Sequence, residues 1–218
     1  MKIQLQRVAP AEIEKRSMEI ITQELGGRAI PAEQRPVVLR CIHTSADFDY
    51  ADNLVFSTNA VSAGVAAIRA GAVIVTDTQM ARSGVNKRVL ERFGGECLCF
   101  MSDADVAKEA KERGITRAAV SMERAAALSK TGARPMILAL GNAPTALVRA
   151  CELREEWGFA PALVIGAPVG FVNVVESKEL ALATPGEHIV ARGRKGGSNI
   201  AAAICNALIY LASNNERE

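Results

Sequence analysis

The stretch Ala72-Val73-Ile74-Val75-Thr76-Asp77-Thr78 decides the fold. Four apolar residues, three of them β-branched, run without a polar interruption and end in hydroxyls and a carboxylate. A strand with one wet face alternates apolar and polar side chains. This one must instead be covered on both faces, as the strands of parallel sheets are. The same grammar recurs downstream. Residues 136–140 open into Gly141-Asn142-Ala143-Pro144-Thr145, residues 162–165 into Gly166-Ala167-Pro168-Val169-Gly170, and residues 188–191 into Arg192-Gly193-Arg194-Lys195-Gly196-Gly197-Ser198. Shorter strands are predicted at 54–56 and 96–101. Helical spacing fills the intervals at 60–70, 79–82, 103–113, 116–130, from the Gly141-to-Thr145 loop to 157, and at 199–212. Ser57-Thr58-Asn59 should cap the first of these and Gly71 stop it, while Ser102 or Asp103 should cap 103–113.

Two helices are predicted ahead of the sheet. Pro10 opens the first, 10–25, in which Ile13, Ser17, Ile20, Ile21 and Leu25 share a face; Gly26-Gly27 ends it. The second covers 31–43, with Pro36 tolerated only near its first turn, and 44–52 reads as a polar loop. Strands alternating with helices, without internal repeats or a linker, predict one α/β domain over residues 1–218. Its architecture is a single-domain three-layer α/β/α fold with a mainly parallel sheet.

Composition removes several function classes. A net charge of +2, scattered basic residues and only 4% aromatics argue against a nucleic-acid partner. No apolar run reaches membrane-spanning length and the first residues do not form a signal peptide, so no membrane partner is expected. The cysteines at 41, 97, 99, 151 and 205 sit in apolar surroundings, as reduced thiols of a cytoplasmic protein do. Cys97 and Cys99 would share a strand face, but no second pair completes a zinc site; no metal is expected.

Candidate chemistry centres on Cys41-Ile42-His43-Thr44-Ser45-Ala46-Asp47-Phe48. Histidine exchanges protons near neutrality, and His43 falls at a helix end, where the dipole favours positive charge. Asp47, four residues on, could orient or recharge the ring. Ser17 is a hydroxyl in an apolar stripe, bonded back to its helix or touching a ligand. In doubly wound sheets ligands bind beyond the carboxyl ends of the strands, where the glycine-rich loops and Thr76-Asp77-Thr78-Gln79-Met80 are expected. Arg192, Arg194 and Lys195 give the last loop cationic reach, which suits a ligand carrying several carboxylates or phosphates. Asp77 could orient a ligand group or cap the next helix. Arg117 and Ser121 share a helix face, while His188 is assigned a structural role. Neither a P-loop nor a Gly-x-Gly-x-x-Gly turn is present.

These stretches, in this order, resemble the precorrin-8X methylmutase family, also called cobalt-precorrin-8 methylmutases. Arg16-Ser17-Met18-Glu19-Ile20-Ile21, Pro168-Val169-Gly170-Phe171-Val172 and Glu176-Ser177-Lys178 join the histidine stretch and the loops above in carrying the likeness. The resemblance implies an isomerase of adenosylcobalamin biosynthesis that moves a methyl group from carbon 11 to carbon 12 of ring C. The product would be cobyrinate or, without cobalt, hydrogenobyrinate. It implies His43 as proton donor and acceptor and Ser17 as a substrate contact; Thr44, Asp77, Met80, Arg117, Arg194 and Lys195 are expected as further contacts. It also implies a homodimer that binds a corrinoid and uses no separate cofactor. Thr44-Ser45-Ala46-Asp47-Phe48 looks more like the cobalt-containing branch. A shift resembling a sigmatropic rearrangement asks no nucleophile or metal of the protein. A corrinoid carrier that hands product to the next enzyme is the alternative of another class, and an enzyme for phosphorylated metabolites is a third.

Overall fold

The computed structural model describes residues 6–215. Among them, six strands form one sheet in the order β1-β6-β5-β4-β2-β3. These are β1 Leu54–Phe56, β2 Val73–Thr76, β3 Glu96–Leu98, β4 Met136–Leu140, β5 Leu163–Gly166 and β6 His188–Ala191. Every pairing is parallel except that of edge strand β1 with β6, as the expectation of a mainly parallel sheet requires.

Successive side chains of a strand point to opposite faces, and here both faces are dry. Ile74, Ile137, Ile165 and Ile189 join one core; Val73, Val75, Leu138 and Val190 join the other. Helices α1 Ile13–Leu25, α2 Arg35–Ser45, α4 Ala60–Arg69 and α11 Ser198–Ala212 supply the first core, following the short α3 Tyr50–Asn53 in the case of α4. The second core belongs to α8 Arg117–Thr131, α9 Pro144–Trp157 and α10 Val174–Ala183. The remaining helices are α5 Gln79–Gly84, α6 Lys87–Glu91 and α7 Ala104–Arg113. Helix α11 is apolar nearly all round and buried between the sheet and α2, and α1 packs in turn on α2.

Several boundaries differ from expectation, each for a local reason. The second helix starts at Arg35, after a turn closed by the Arg35 N–H on Pro31 O, because Pro36 can occupy only the first helical turn. It then runs past His43 to Ser45, whose hydroxyl bonds back to Cys41 O at 2.8 Å. Thr44 and Ser45 are therefore helical, and the expected polar loop also contains α3. Asn59 does not cap α4 with its side chain; the amide reaches Glu187 instead. Asp103 starts α7 without a side-chain cap bond, and β3 stops at Leu98, so Cys97 and Cys99 do not lie together within it. Helices α6 and α10 escape the sequence reading. In α10 the buried face carries Ser177 and Lys178 beside Val174 and Ala181, so no apolar stripe marks it.

Candidate functional site

Helices α1 and α2 leave between them a cleft of about 320 Å³. Ser17, Ile20 and Glu24 line one wall, and Ile42, His43 and Phe48 the other. His43 occupies the last turn of α2, exposed to the cleft, while Ile42 and Cys41 are buried behind it. Ala46 closes that turn in the left-handed conformation (φ 54°), donating its N–H to Ile42 O at 2.7 Å. The Ser17 hydroxyl donates to Ile13 O at 2.9 Å, the bond back to its own helix, and the residue lines the cleft. A hydroxyl that donates backwards still has lone pairs for an incoming donor. Glu24 was missed. Its spacing of seven from Ser17 is two helical turns, which was the available signal.

The crevice where such folds usually bind ligands is filled. Strand order reverses between β2 and β4, and a ligand would be expected beyond their carboxyl ends. There the fully buried Asp77 accepts the Gly141 N–H at 2.8 Å on Oδ1 and those of Asn142 and Ala143 at 2.7 and 2.6 Å on Oδ2. Burial raises its pKa above the usual carboxylate value, and the three amide bonds oppose that rise. Asp77 does not cap α5 with its side chain; Thr78 does, accepting the Ala81 N–H at 3.0 Å and sharing a 2.7 Å hydrogen bond with Ser198. Gly141 is needed because a Cβ there would stand 2.7 Å from Gly197 O. The Gly197 N–H in turn donates to Ala167 O at 2.9 Å. Small residues at these loops let the loops approach one another rather than a ligand.

From this edge the last loop reaches the turn that follows α2. The Lys195 ammonium bonds Asp47 Oδ2 and Asp49 Oδ2, both at 2.6 Å, in the turn that follows α2. That bond holds the Asp47 carboxyl below its ordinary value, so Asp47 partners Lys195 rather than the His43 ring. Next along, the Arg194 guanidinium lies 5.5 Å from the Phe171 ring centroid, and Phe171 and Val172 are 82% and 78% exposed. Thr44 is exposed beside His43. Arg192 is spent on Glu179 by two 2.8 Å bonds. Met80 and Arg117 fall on another flank and do not line the cleft: Arg117 donates to Met101 O at 3.3 Å, and Met80 is 71% exposed at the start of α5. His188 begins β6 with its N–H on Ser57 Oγ.

Other features carry less chemistry. A larger cleft of about 540 Å³ lies between α8 and α9, but its charged residues Arg113, Glu123, Arg149 and Glu152 are bonded to one another. The cysteines are free, and burial pushes the Cys41 thiol far above its ordinary value, which removes it as a nucleophile beside His43. Among the described residues no group of three or more His, Cys, Asp or Glu side chains is placed to hold a metal.

Comparison with known proteins identifies the family. A family model described as precorrin-8X methylmutase matches residues 12–211. The cobalt-precorrin-8 methylmutase of Priestia megaterium is 45% identical over 205 residues, covering 94% of this chain and 89% of the relative. The precorrin-8X methylmutase of Pseudomonas aeruginosa is 38% identical, with 90% of this chain and 93% of the relative covered. The crystal structure of precorrin-8x methyl mutase from Thermus thermophilus superposes with a TM-score of 0.86 at 41% identity, over 94% of this chain and 97% of that one. The chain belongs to the precorrin-8X methylmutase family.

Proposed function

We propose that the chain moves a methyl group from carbon 11 to carbon 12 of ring C in a precorrin-8-type corrinoid, with His43 as the general acid and base. Family membership makes it a methylmutase, an isomerase of cobalamin biosynthesis. The observation that carries the residue assignment is the cleft itself. It presents His43 and Ser17 together, and the turn beyond His43 is bonded by Lys195, the chain neighbour of the Arg194 that lies over Phe171. A late corrinoid is a flat apolar ring edged with acetate and propionate groups, and the apolar cleft and the cationic loop offer both kinds of contact.

In this reading His43 protonates a ring nitrogen or conjugated carbon, drawing electron density through the π-system towards the protonated atom and so favouring migration of the methyl, then takes the proton back. Acid–base help of this kind is worth roughly 10²–10⁴-fold, and holding the reactive conformer supplies the rest. Ser17 and Thr44 orient the ring edge, and Arg194 and Lys195 take its carboxylates. Asp77 acts by fixing the Gly141–Ala143 backbone rather than by touching substrate. A cleft of about 320 Å³ holds only part of a corrinoid. We assign the remainder of the pocket to a second copy of the chain in a homodimer, with Met80 and Arg117 as contacts brought from the other flank. Cobalt carried in the substrate is favoured, supported by relatives at 45% and 41% identity that are both cobalt-precorrin-8 methylmutases. A cytoplasmic setting, with no separate cofactor, completes the reading.

The test is spectral monitoring after mixing the purified protein with cobalt-precorrin-8 and, separately, with metal-free precorrin-8X. Turnover to cobyrinate, faster with the cobalt substrate, is expected. Tight binding of product without turnover of either substrate would replace the enzyme by a carrier.

A further inference from the structure

Among the described residues Lys178 is the largest fully buried polar side chain. It projects from the middle of α10, where an apolar residue would pack at lower desolvation cost. Among the described residues it pairs with no carboxylate. Its ammonium instead donates to Gly193 O and to Lys195 O, each at 2.8 Å. The carbonyl between them, Arg194 O, accepts the Gly170 N–H at 3.3 Å. Three successive carbonyls of one exposed loop are thus held from inside the fold, and the side chains of Arg194 and Lys195 are left outside. Gly193 supplies the left-handed backbone (φ 81°) that this curl needs. The neighbouring Glu179 fastens Arg192 from the same helix, so α10 is the platform on which the loop is shaped.

We infer that Lys178 is a positioning residue for substrate binding, acting through Lys195 and Arg194 by fixing the loop that presents both to the carboxylates of the ring. The inference rests on the reading of that loop as a carboxylate contact. Lys178 does not meet substrate; it sets the register of the two cations that do. A donor with several N–H groups on a long stem is what bridges two carbonyls from below, a task methionine fails although it fills the same space.

The experiment compares wild type, Lys178→Met, Lys195→Met and the double variant in spectral titrations with cobyrinate and in steady-state turnover of cobalt-precorrin-8. Lys178→Met is expected to weaken cobyrinate binding and raise KM about tenfold, the loss of one charge-assisted contact, with kcat within about twofold of wild type. The double variant should lose less affinity than the product of the two single effects, since Lys178 acts in part through Lys195. Hydrogen exchange should quicken across 193–197 in Lys178→Met and stay unchanged in β4. Lys178→Gln, which retains two N–H donors, should recover part of the affinity and serves if the methionine variant folds poorly. Weaker binding in Lys195→Met with normal binding and loop exchange in Lys178→Met would overturn the role of Lys178 alone, as would effects that multiply in the double variant. Normal binding in both Lys195→Met and Arg194→Ala would overturn the carboxylate reading of the loop, and this inference with it.

Discussion

Lys195 Nζ lies 2.6 Å from Asp47 Oδ2, so the loop after β6 is tied directly to the turn that ends the helix of His43. The two segments are 148 residues apart in the chain. An exposed pair of this kind contributes at most about 1 kcal/mol, so its significance is geometric: the cationic loop and the helix end that carries His43 keep one relative placement. The Asp47 carboxyl is held below its ordinary value, first by the Lys195 hydrogen bond. A depressed carboxylate stabilises the fold above its unfolded pKa and loses that contribution as pH falls through the folded value. Carboxyl NMR titration should therefore place Asp47 below the usual aspartate range, and Lys195→Met should return it upwards. An unchanged midpoint in that variant would mean that the pair does not persist in solution.

His43→Ala should lower kcat by roughly 10²–10⁴-fold, the usual worth of a positioned acid–base group. Because the side chain is exposed, denaturant unfolding should shift by less than about 0.5 kcal/mol. Cobyrinate should still bind. A variant with wild-type turnover of cobalt-precorrin-8 would remove His43 from the chemistry.

Ser17→Ala tests the opposite wall of the cleft. The lost bond to Ile13 O is local to one helix and stability should change by under about 1 kcal/mol, whereas KM should rise severalfold if the hydroxyl meets the ring edge. Equal KM values in variant and wild type would leave this serine with its helical bond alone.

Asp77→Asn should be the most destabilising of these changes. One carboxylate oxygen that accepts backbone N–H becomes an amide nitrogen facing donors, at a cost of about 2–4 kcal/mol in urea unfolding. Gly141→Ala should cost a comparable amount, since its Cβ would lie 2.7 Å from the carbonyl oxygen of Gly197, a backbone atom that cannot rotate away. Near-wild-type midpoints for both would contradict the packed crevice.

Lys178 gives a pH signature of its own. Burial lowers its pKa from 10.5 to about 8. Between those values the unfolded chain holds the proton that the folded chain has released, so stability rises with pH there. The stability difference between wild type and Lys178→Met should move in favour of wild type from pH 8 to 10.5, by up to about 3 kcal/mol, and be flat below that window. Urea melts of both proteins across this range provide the measurement. A gap that narrows on raising the pH would mean that the lysine is not desolvated in the native state.

Much of this protein was legible in one dimension. Uninterrupted apolar strands such as Met136–Leu140 can be stable only when covered on both faces, so sheet type and layering followed from local pattern. The histidine and serine of the cleft were likewise legible, from their place at helix ends and on helix faces and from the family resemblance. Residues whose roles depend on distant partners were not. Helix α10 hid because its buried face carries Ser177 and Lys178, whose burial makes sense only with the carbonyls of Gly193 and Lys195 in place. Asp47 looked like a companion of His43 because the two are four residues apart, yet a lysine 148 positions away captures it.

The sequence by itself determined the strands, the longer apolar-striped helices and the need to bury apolar faces on both sides of the sheet, because periodicity and side-chain size act over a few residues. Only the tertiary structure decided that the usual ligand crevice is closed by Asp77 and that His43 instead faces a cleft between α1 and α2. A carboxylate that ends a strand can bind a ligand or three amides. Which it does depends on what the rest of the chain places within hydrogen-bond reach, and a range of about 3 Å is a property of three dimensions.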